Sequence, residues 1–533
     1  MIATPAGLIP RTFTAGSWIL KGNTVHIRRI LAAALAATIL TATACGTDDT
    51  KTTSGDENAA TQQLVLGNNG DVLSWDPGEM KEGAVIHYAE AIYDPLLRKT
   101  ADSSIEGNLA TEYSYNDDLT ELTLKLRDDV TFSDGEKFDG AAVKVNLEAR
   151  KKGAGSASEA AKVITDVAVE DPTTVKLMLS EPSPGLLSGL ATYLGFMVSP
   201  KTLSQGDIET APVGSGPYIL DSSDSGVEYT FTSREDYWNR EAFPFDSVVI
   251  RPYEDFTARY NALSTGQIQF MYGTSDMVPQ AETDGLTVQS VPGEWQGIIL
   301  QDRGGEALKA LGDVRVRQAI NYALDREAIL KTHYSGRGQV TTQTFNPASQ
   351  AWVEELNKRY PYDPEKAKQL LADAGYPDGF TLTTSYSEGF MTPLVPIVQQ
   401  YLSDVGITMD LVPVNGFASG GLETLKSQPS FMLSFSTNIP AWTDVLNKLT
   451  TTALWNYFGY TDDTVTRLMK EIPLTQGDDQ TALYQELNTH LVEDAWFAPI
   501  VLQDNIYLSS PDIKVTMQQA QLVPSLRFFT PAK

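Results

Sequence analysis

Past residue 44 the chain holds three histidines, His87, His333 and His490, the side chains best suited to move protons or bind metal near neutral pH. They stand far apart in sequence, and none has a second ligand type at metal-binding spacing. His490 falls in the helical stretch ALYQELNTHLVED and reads as a surface or half-buried residue. Cys45 is the one cysteine in 533 residues, too little sulfur for a disulfide, a cysteine-ligated zinc or an iron–sulfur cluster. HExxH, GxSxG and the phosphate loop are absent. VGSGP, residues 213 to 217, looks superficially like a nucleophile elbow. Its spacing is wrong and Pro217 would stop the helix an elbow needs, so a tight turn is expected. The 68 acidic residues do not show whether two of them stand about 5 or 9 Å apart across a sugar, as a glycosidase requires. A secreted hydrolase acting on carbohydrate or peptide therefore remains the second class beside a binding protein, with no cofactor or metal expected.

Trp75, Trp295, Trp352, Trp442, Trp455 and Trp496 are spread along the chain, several beside polar turns. Most tryptophans are core residues, yet together these suit a cleft that stacks on or encloses a solute. The elements that would carry such a cleft are legible. QLVLG (63–67) is a short strand, and Leu122, Leu124 and Leu126 share one face of ELTLKL. After the turn at Ser133-Asp134-Gly135, Asp139 caps a helix through GAAVKVNLEAR, and TVKLML is a further strand. Asp313 caps VRVRQAINYAL, and Asp363-Pro364 opens EKAKQLLADA, which Gly375 and Pro377 end. A strand (380–386), a helix (about 393–404) and a strand (407–412) then read as a βαβ unit, so the class is α/β.

Arg28 and Arg29, the apolar run Ile30 to Leu40 interrupted only by Thr38, and the small residues Ala42, Thr43 and Ala44 form a secretory signal ahead of Cys45. The apolar run is shorter than the roughly 20 residues of a membrane span. A cysteine at the cleavage point resembles a bacterial lipobox, in which Cys45 is lipidated and becomes the first mature residue. Residues 1–24 are surplus to such a signal, and Val25 is a candidate true start. The leader carries four basic residues and no acidic one, so its removal takes the net charge from −28 to −32. That balance disfavours nucleic acid, whose binders need a basic stripe, and leaves membrane attachment to the acyl chain. Residues 46 to 61, rich in Thr, Asp, Gly and Ala, read as a flexible tether.

From Gln63 onward an ordered series of motifs carries a resemblance. SWDPGEM, AIYDPLL and NLATEYSYNDDLTELTLKLRDDVTFSDGEKFDGAAV are followed by MVSPKTL, APVGSGPYIL and REDYWNR. FDSVVIRPYEDFTARYNALSTGQI, DVRVRQAINYALDREAIL and YDPEKAKQLLADAGYPDGF continue it. The series is similar to the peptide/nickel (oligopeptide/dipeptide-binding) class of ABC-importer substrate-binding proteins, many of them bacterial lipoproteins. The resemblance implies a two-lobed, periplasmic-binding-protein-like α/β fold of type II with an extra domain inserted in the first lobe. Lobe I would take residues 63–92, 213–290 and 505–533, the inserted domain 93–212 and lobe II 291–504. A signal peptide (1–44) and a lipid-anchored tether (45–62) would precede them. Hinge crossings would lie near Pro292-Gly293-Glu294-Trp295 and Gln503-Asp504, the Pro-Gly pair marking a change of chain direction. It further implies a monomeric receptor at the outer face of the cell membrane, anchored through Cys45. Such a receptor closes over a small solute and passes it to an ABC permease and ATPase without catalysis.

Peptide receptors of this class present a Trp-x-x-Asp segment whose carboxylate pairs with the peptide's α-ammonium. The matching stretch here is Phe435-Ser436-Thr437-Asn438, and an amide cannot neutralise an ammonium. Loss of that charge-assisted bond would cost about 1.5–3 kcal/mol. Asp444 or Glu82 is a candidate substitute; alternatively the ligand is an oligosaccharide, on which Trp442 and Trp455 would stack, or a metal chelate, which the scattered histidines favour little. Gly266-Gln267-Ile268-Gln269 replaces the usual Gly-Glu-Ile-Asp and reads as a surface variation. The residues expected to line the cleft are Met80, Lys81 and Glu82 from lobe I, Trp295 and Gln296 at the hinge, and Phe435, Asn438, Trp442, Asp444 and Asp504.

Overall fold

Alternating burial builds the strands. In Glu121–Leu126 the three leucines point inward and Lys125 outward, as a half-buried strand requires. The computed structural model describes residues 62–80, 83, 85–153, 155–388, 391–415 and 421–533. Cys45, Lys81 and Glu82 lie outside them.

An eleven-stranded sheet dominates the compact unit Ala60–Lys533. At one end the parallel strands Ile407–Val414, Phe380–Ser387 and Ser430–Ser436 lie side by side. At the other, Gln63–Asn68 runs parallel to both Phe270–Gly273 and Ser247–Pro252, and the antiparallel strands Glu228–Ser233 and Tyr218–Asp224 complete the edge. Two long antiparallel strands, Thr287–Leu300 and Phe497–Ser509, join the ends and belong to both. The strand Gln339–Val340 pairs with the second of them. Separate apolar cores flank this junction, one holding residues such as Leu64, Tyr88 and Val291, the others Ile298, Trp295 and Trp496. The fold is thus two-lobed and mixed α/β. A separate four-stranded antiparallel sheet, ordered Ala110–Tyr115, Glu121–Leu126, Thr174–Leu179 and Ile164–Asp171, sits in the segment expected to be inserted.

Local chemistry starts the helices where the sequence indicates. Asp139, Asp313 and Asp363 each accept a backbone N–H of the first turn of Gly140–Arg150, Val314–Tyr322 and Pro364–Asp373, satisfying donors that have no intrahelical partner. The βαβ reading holds: Phe380–Ser387, helix Val395–Asp404 and Ile407–Val414 follow in order, and the two strands pair in parallel.

Two local expectations change. The chain does not reverse at Pro292-Gly293; a continuous strand runs through, with a register shift between Pro292, opposite Asp504, and Glu294, opposite Gln503. The glycine is required because a Cβ there would stand 2.2 Å from Asn505 Oδ1. Gln269 is more than surface variation: its side-chain oxygen accepts the Val65 N–H at 2.8 Å, although Gln267 is exposed. In VGSGP, Ser215 is fully buried and donates nothing outward, its hydroxyl accepting the Asp94 N–H at 3.3 Å. Cβ atoms on Gly214 and Gly216 would lie 2.2 and 2.4 Å from the Ile92 backbone. The segment is a packed turn.

Candidate functional site

The junction of the two halves encloses a cleft of about 530 Å³. The first half supplies Ile86, the segment 183–193, Asn505 and Gln521; the second supplies Glu294, the stretch Ser436 to Ile439, and Thr443, Leu446 and Asn447. Ser436 ends the parallel strand Ser430–Ser436, and in open α/β sheets ligands collect outside the carboxyl ends of such strands. The loop that follows is latched to the crossing strand. Thr437 donates to the Gly293 carbonyl from its N–H at 3.0 Å and its hydroxyl at 2.7 Å, and that hydroxyl accepts Asn346 Nδ2 at 2.8 Å.

The wall mixes neutral amides and hydroxyls with apolar positions such as Ile86, Leu186 and Leu446. Glu294 and Lys99 are the charged residues of the wall among the described residues. Glu294 is held from below: the hydroxyls of Ser434 and Ser436 donate to its two oxygens at 2.6 and 3.1 Å. Tyr272, across the junction, has its phenol pushed up to about 12, by burial first and by the Glu294 charge second.

Strand parity separates the anticipated residues from those that line the cleft. Glu294 pairs with Ser436 and Trp295 with Phe435 in the antiparallel register, so the two pairs face opposite sides. Trp295 is fully buried and stacks on Phe435 with ring centroids 4.9 Å apart; both belong to the second half's core. Gln296 shares the Glu294 face, but it is buried, bonding Gln503 at 2.8 Å and accepting the Tyr334 hydroxyl. Asp504 is half-buried opposite Pro292, its carboxyl pushed up by burial, while its neighbour Asn505 reaches the cleft. Met80 is packed in the first half's core. Trp442 is also a core residue, though its Cδ1 lies 3.7 Å from where a Gly185 Cβ would stand, touching the opposite half.

Asn438 lines the cleft, but the carboxylate near it is occupied. Asp444 accepts the Asn438 N–H at 3.0 Å, Asn438 Nδ2 at 2.9 Å and Lys448 Nζ at 2.7 Å. The Asp444–Lys448 pair is almost wholly buried, with side chains 1 % and 4 % exposed. Glu294, Asn505, Gln521 and the segment 183–193 were missed. The first two sit one residue from an anticipated position, and alternation along the strand is the signal that finds them.

The histidines offer no shared centre. His87 is buried, pushed down to about 4 by desolvation, and bonds the Pro524 carbonyl at 2.8 Å. His490 bonds the helix-capping Asp462 at 2.7 Å, and His333 packs its ring edge against Tyr334. Among the described residues no group of three His, Cys, Asp or Glu is placed to hold a metal, and no helix is long and apolar enough to cross a membrane. What the arrangement can do is enclose a small solute. Its volume lies within the roughly 300–1,000 Å³ of small-molecule sites.

Comparison with known proteins gives the same architecture. The model of the bacterial extracellular solute-binding proteins, family 5 (middle part), matches residues 104–459. A glutathione-binding protein, GsiB of Salmonella paratyphi A, is 28% identical over 473 residues, covering 85% of this chain and 91% of its own. Among solved structures, HbpA2 of Haemophilus parasuis superposes with a TM-score of 0.79 at 20% identity, over 88% of this chain and 99% of that one. The periplasmic binding protein DppA of Helicobacter pylori, in complex with the peptide STSA, gives 0.71 at 22% identity, over 89% and 99%.

Proposed function

This chain belongs to the bacterial extracellular solute-binding proteins, family 5, receptors that deliver peptides or related solutes to ABC transporters, and we propose that its own solute is a short peptide. The observation that carries the reading is the cleft between the halves, whose wall mixes amides and hydroxyls with apolar positions and carries one carboxylate and one ammonium. A peptide offers backbone donors and acceptors to the neutral groups and a charge of each sign to Glu294 and Lys99. The tryptophans that would stack on an oligosaccharide are engaged elsewhere: Trp442 in the core, and Trp455 against Phe431 and Phe435 at 5.9 and 5.1 Å. We place the lobe boundaries at residues 291 and 504, where the two strands cross with their register shift. Closure about that junction holds the solute, and no chemical step is needed.

A solute that binds the folded chain but not the unfolded one raises the melting temperature by linkage. A thermal-shift screen is therefore expected to show stabilisation by members of a di- to pentapeptide panel. No shift with any peptide and a clear shift with oligosaccharides would reverse the assignment.

Attachment follows from Cys45: with the signal removed, acylation there would tether the receptor beside its permease. Cys45→Ala is expected to move the protein from the membrane fraction to the medium. Retention on the membrane after that change would exclude the anchor.

A further inference from the structure

We propose that Glu294 is the anchor for the amino terminus of the bound peptide, taking over the role that neither Asn438 nor Asp444 can fill. The assignment rests on the peptide reading above and deepens it. Asn438 carries no charge, and its amide donates to Asp444 at 2.9 Å. Asp444 already neutralises Lys448, within the protein, at 2.7 Å. Its two oxygens hold three donors, and its carboxylate is 1 % exposed, so a ligand ammonium meets neither an accessible oxygen nor free charge there.

Glu294 has the opposite properties. It lines the cleft, is half-buried, and no cation among the described residues forms an ion pair with it. Both oxygens accept serine hydroxyls, from Ser434 at 2.6 Å and Ser436 at 3.1 Å. Those bonds fix the direction in which the carboxylate points. A carboxylate so held, partly removed from water, retains lone pairs for a charge-assisted donor and gains most from a cation that arrives dehydrated with the ligand. Its place on the strand adds a consequence. Glu294 follows directly on the bulged Gly293, where Thr287–Leu300 passes between the halves, and the first half's Tyr272 senses its charge. A ligand ammonium at Glu294 therefore bonds at the junction itself. Lys99 lines the same cleft from the first half, so a peptide bound by its amino terminus at Glu294 extends into a wall that carries the complementary charge for a carboxylate.

The test is a thermodynamic cycle by titration calorimetry. It crosses Glu294→Gln with acetylation of the amino terminus of the tightest-binding peptide in the panel. Acetylation is expected to weaken binding to the parent by roughly ten- to a hundredfold, the loss of one charge-assisted bond, and Glu294→Gln to weaken the free-amine peptide similarly. In Glu294→Gln the two peptides are expected to bind within about threefold of each other, because the coupling is gone. Glu294→Asp, which keeps the charge, is expected to retain the preference for the free amine. A tenfold free-amine preference persisting in Glu294→Gln overturns the assignment while leaving the peptide reading intact. Failure of the parent to bind any peptide of the panel overturns both.

Discussion

Asp444→Ala is expected to lower the stability of the protein by about 3–5 kcal/mol, the cost of leaving one member of a buried ion pair without its partner. Lys448 Nζ, 2.7 Å from the Asp444 carboxylate, sits 5.9 Å from the ring centroids of both Trp295 and Phe435. Without Asp444 the ammonium stays in that apolar surround and the Asn438 N–H loses its acceptor. Urea denaturation measures the loss. Replacing both partners, as Asp444→Asn with Lys448→Met, is expected to recover most of it, since no unpaired buried charge remains and the amide oxygen can still accept the Asn438 N–H. The recovered double variant is further expected to bind the parent's ligand with unchanged affinity. A loss below about 1 kcal/mol in Asp444→Ala, the range of a surface pair, together with weakened ligand binding, would return Asp444 to the role of ligand partner.

Trp295→Ala is expected to cost a similar 3–5 kcal/mol, as truncation of a large aromatic in a packed core does. Trp295 is fully buried, stacked on Phe435 and edge-on to Phe497 at 5.8 Å. Its indole Nε1 has no hydrogen-bond partner, so Trp295→Phe forfeits no polar contact. The milder variant is expected to retain ligand affinity within about threefold while losing some stability, the mark of a residue that packs rather than binds. Calorimetric titration and thermal melts separate the two. A tenfold or greater drop in affinity in Trp295→Phe, with the melting temperature unmoved, would place the indole against the ligand instead.

Both expectations turn on where sequence reading succeeded and where it stopped. The helix starts at Asp139, Asp313 and Asp363 were legible because a cap is a local bond, made within three residues of the capping side chain. The βαβ unit over 380–414 was legible for a related reason: periods of two and 3.6 are written into the spacing of apolar residues. The ordered motifs went further and identified a two-lobed solute receptor. Choosing the residues that line the cleft was a different matter. Phe435, Trp295 and Asp504 were anticipated; Ser436, Glu294 and Asn505, each next in sequence to one of these, line the cleft.

What the sequence by itself determined was local: helix caps, and the alternation that puts neighbours such as Glu294 and Trp295, or Phe435 and Ser436, on opposite sides of a strand. The pairing of Trp295 with Phe435 and of Glu294 with Ser436 came with the tertiary structure. Which side looks onto the other half was decided only by the tertiary structure. A strand alternates identically whichever face is covered, and the bulge at Gly293 offsets the pairing where the chain crosses between halves. The occupation of Asp444 was equally hidden. An aspartate six residues after Asn438 reads as a free carboxylate until the helix Trp442–Lys448 brings Lys448 to it, inside a core that leaves the charge nowhere else to go.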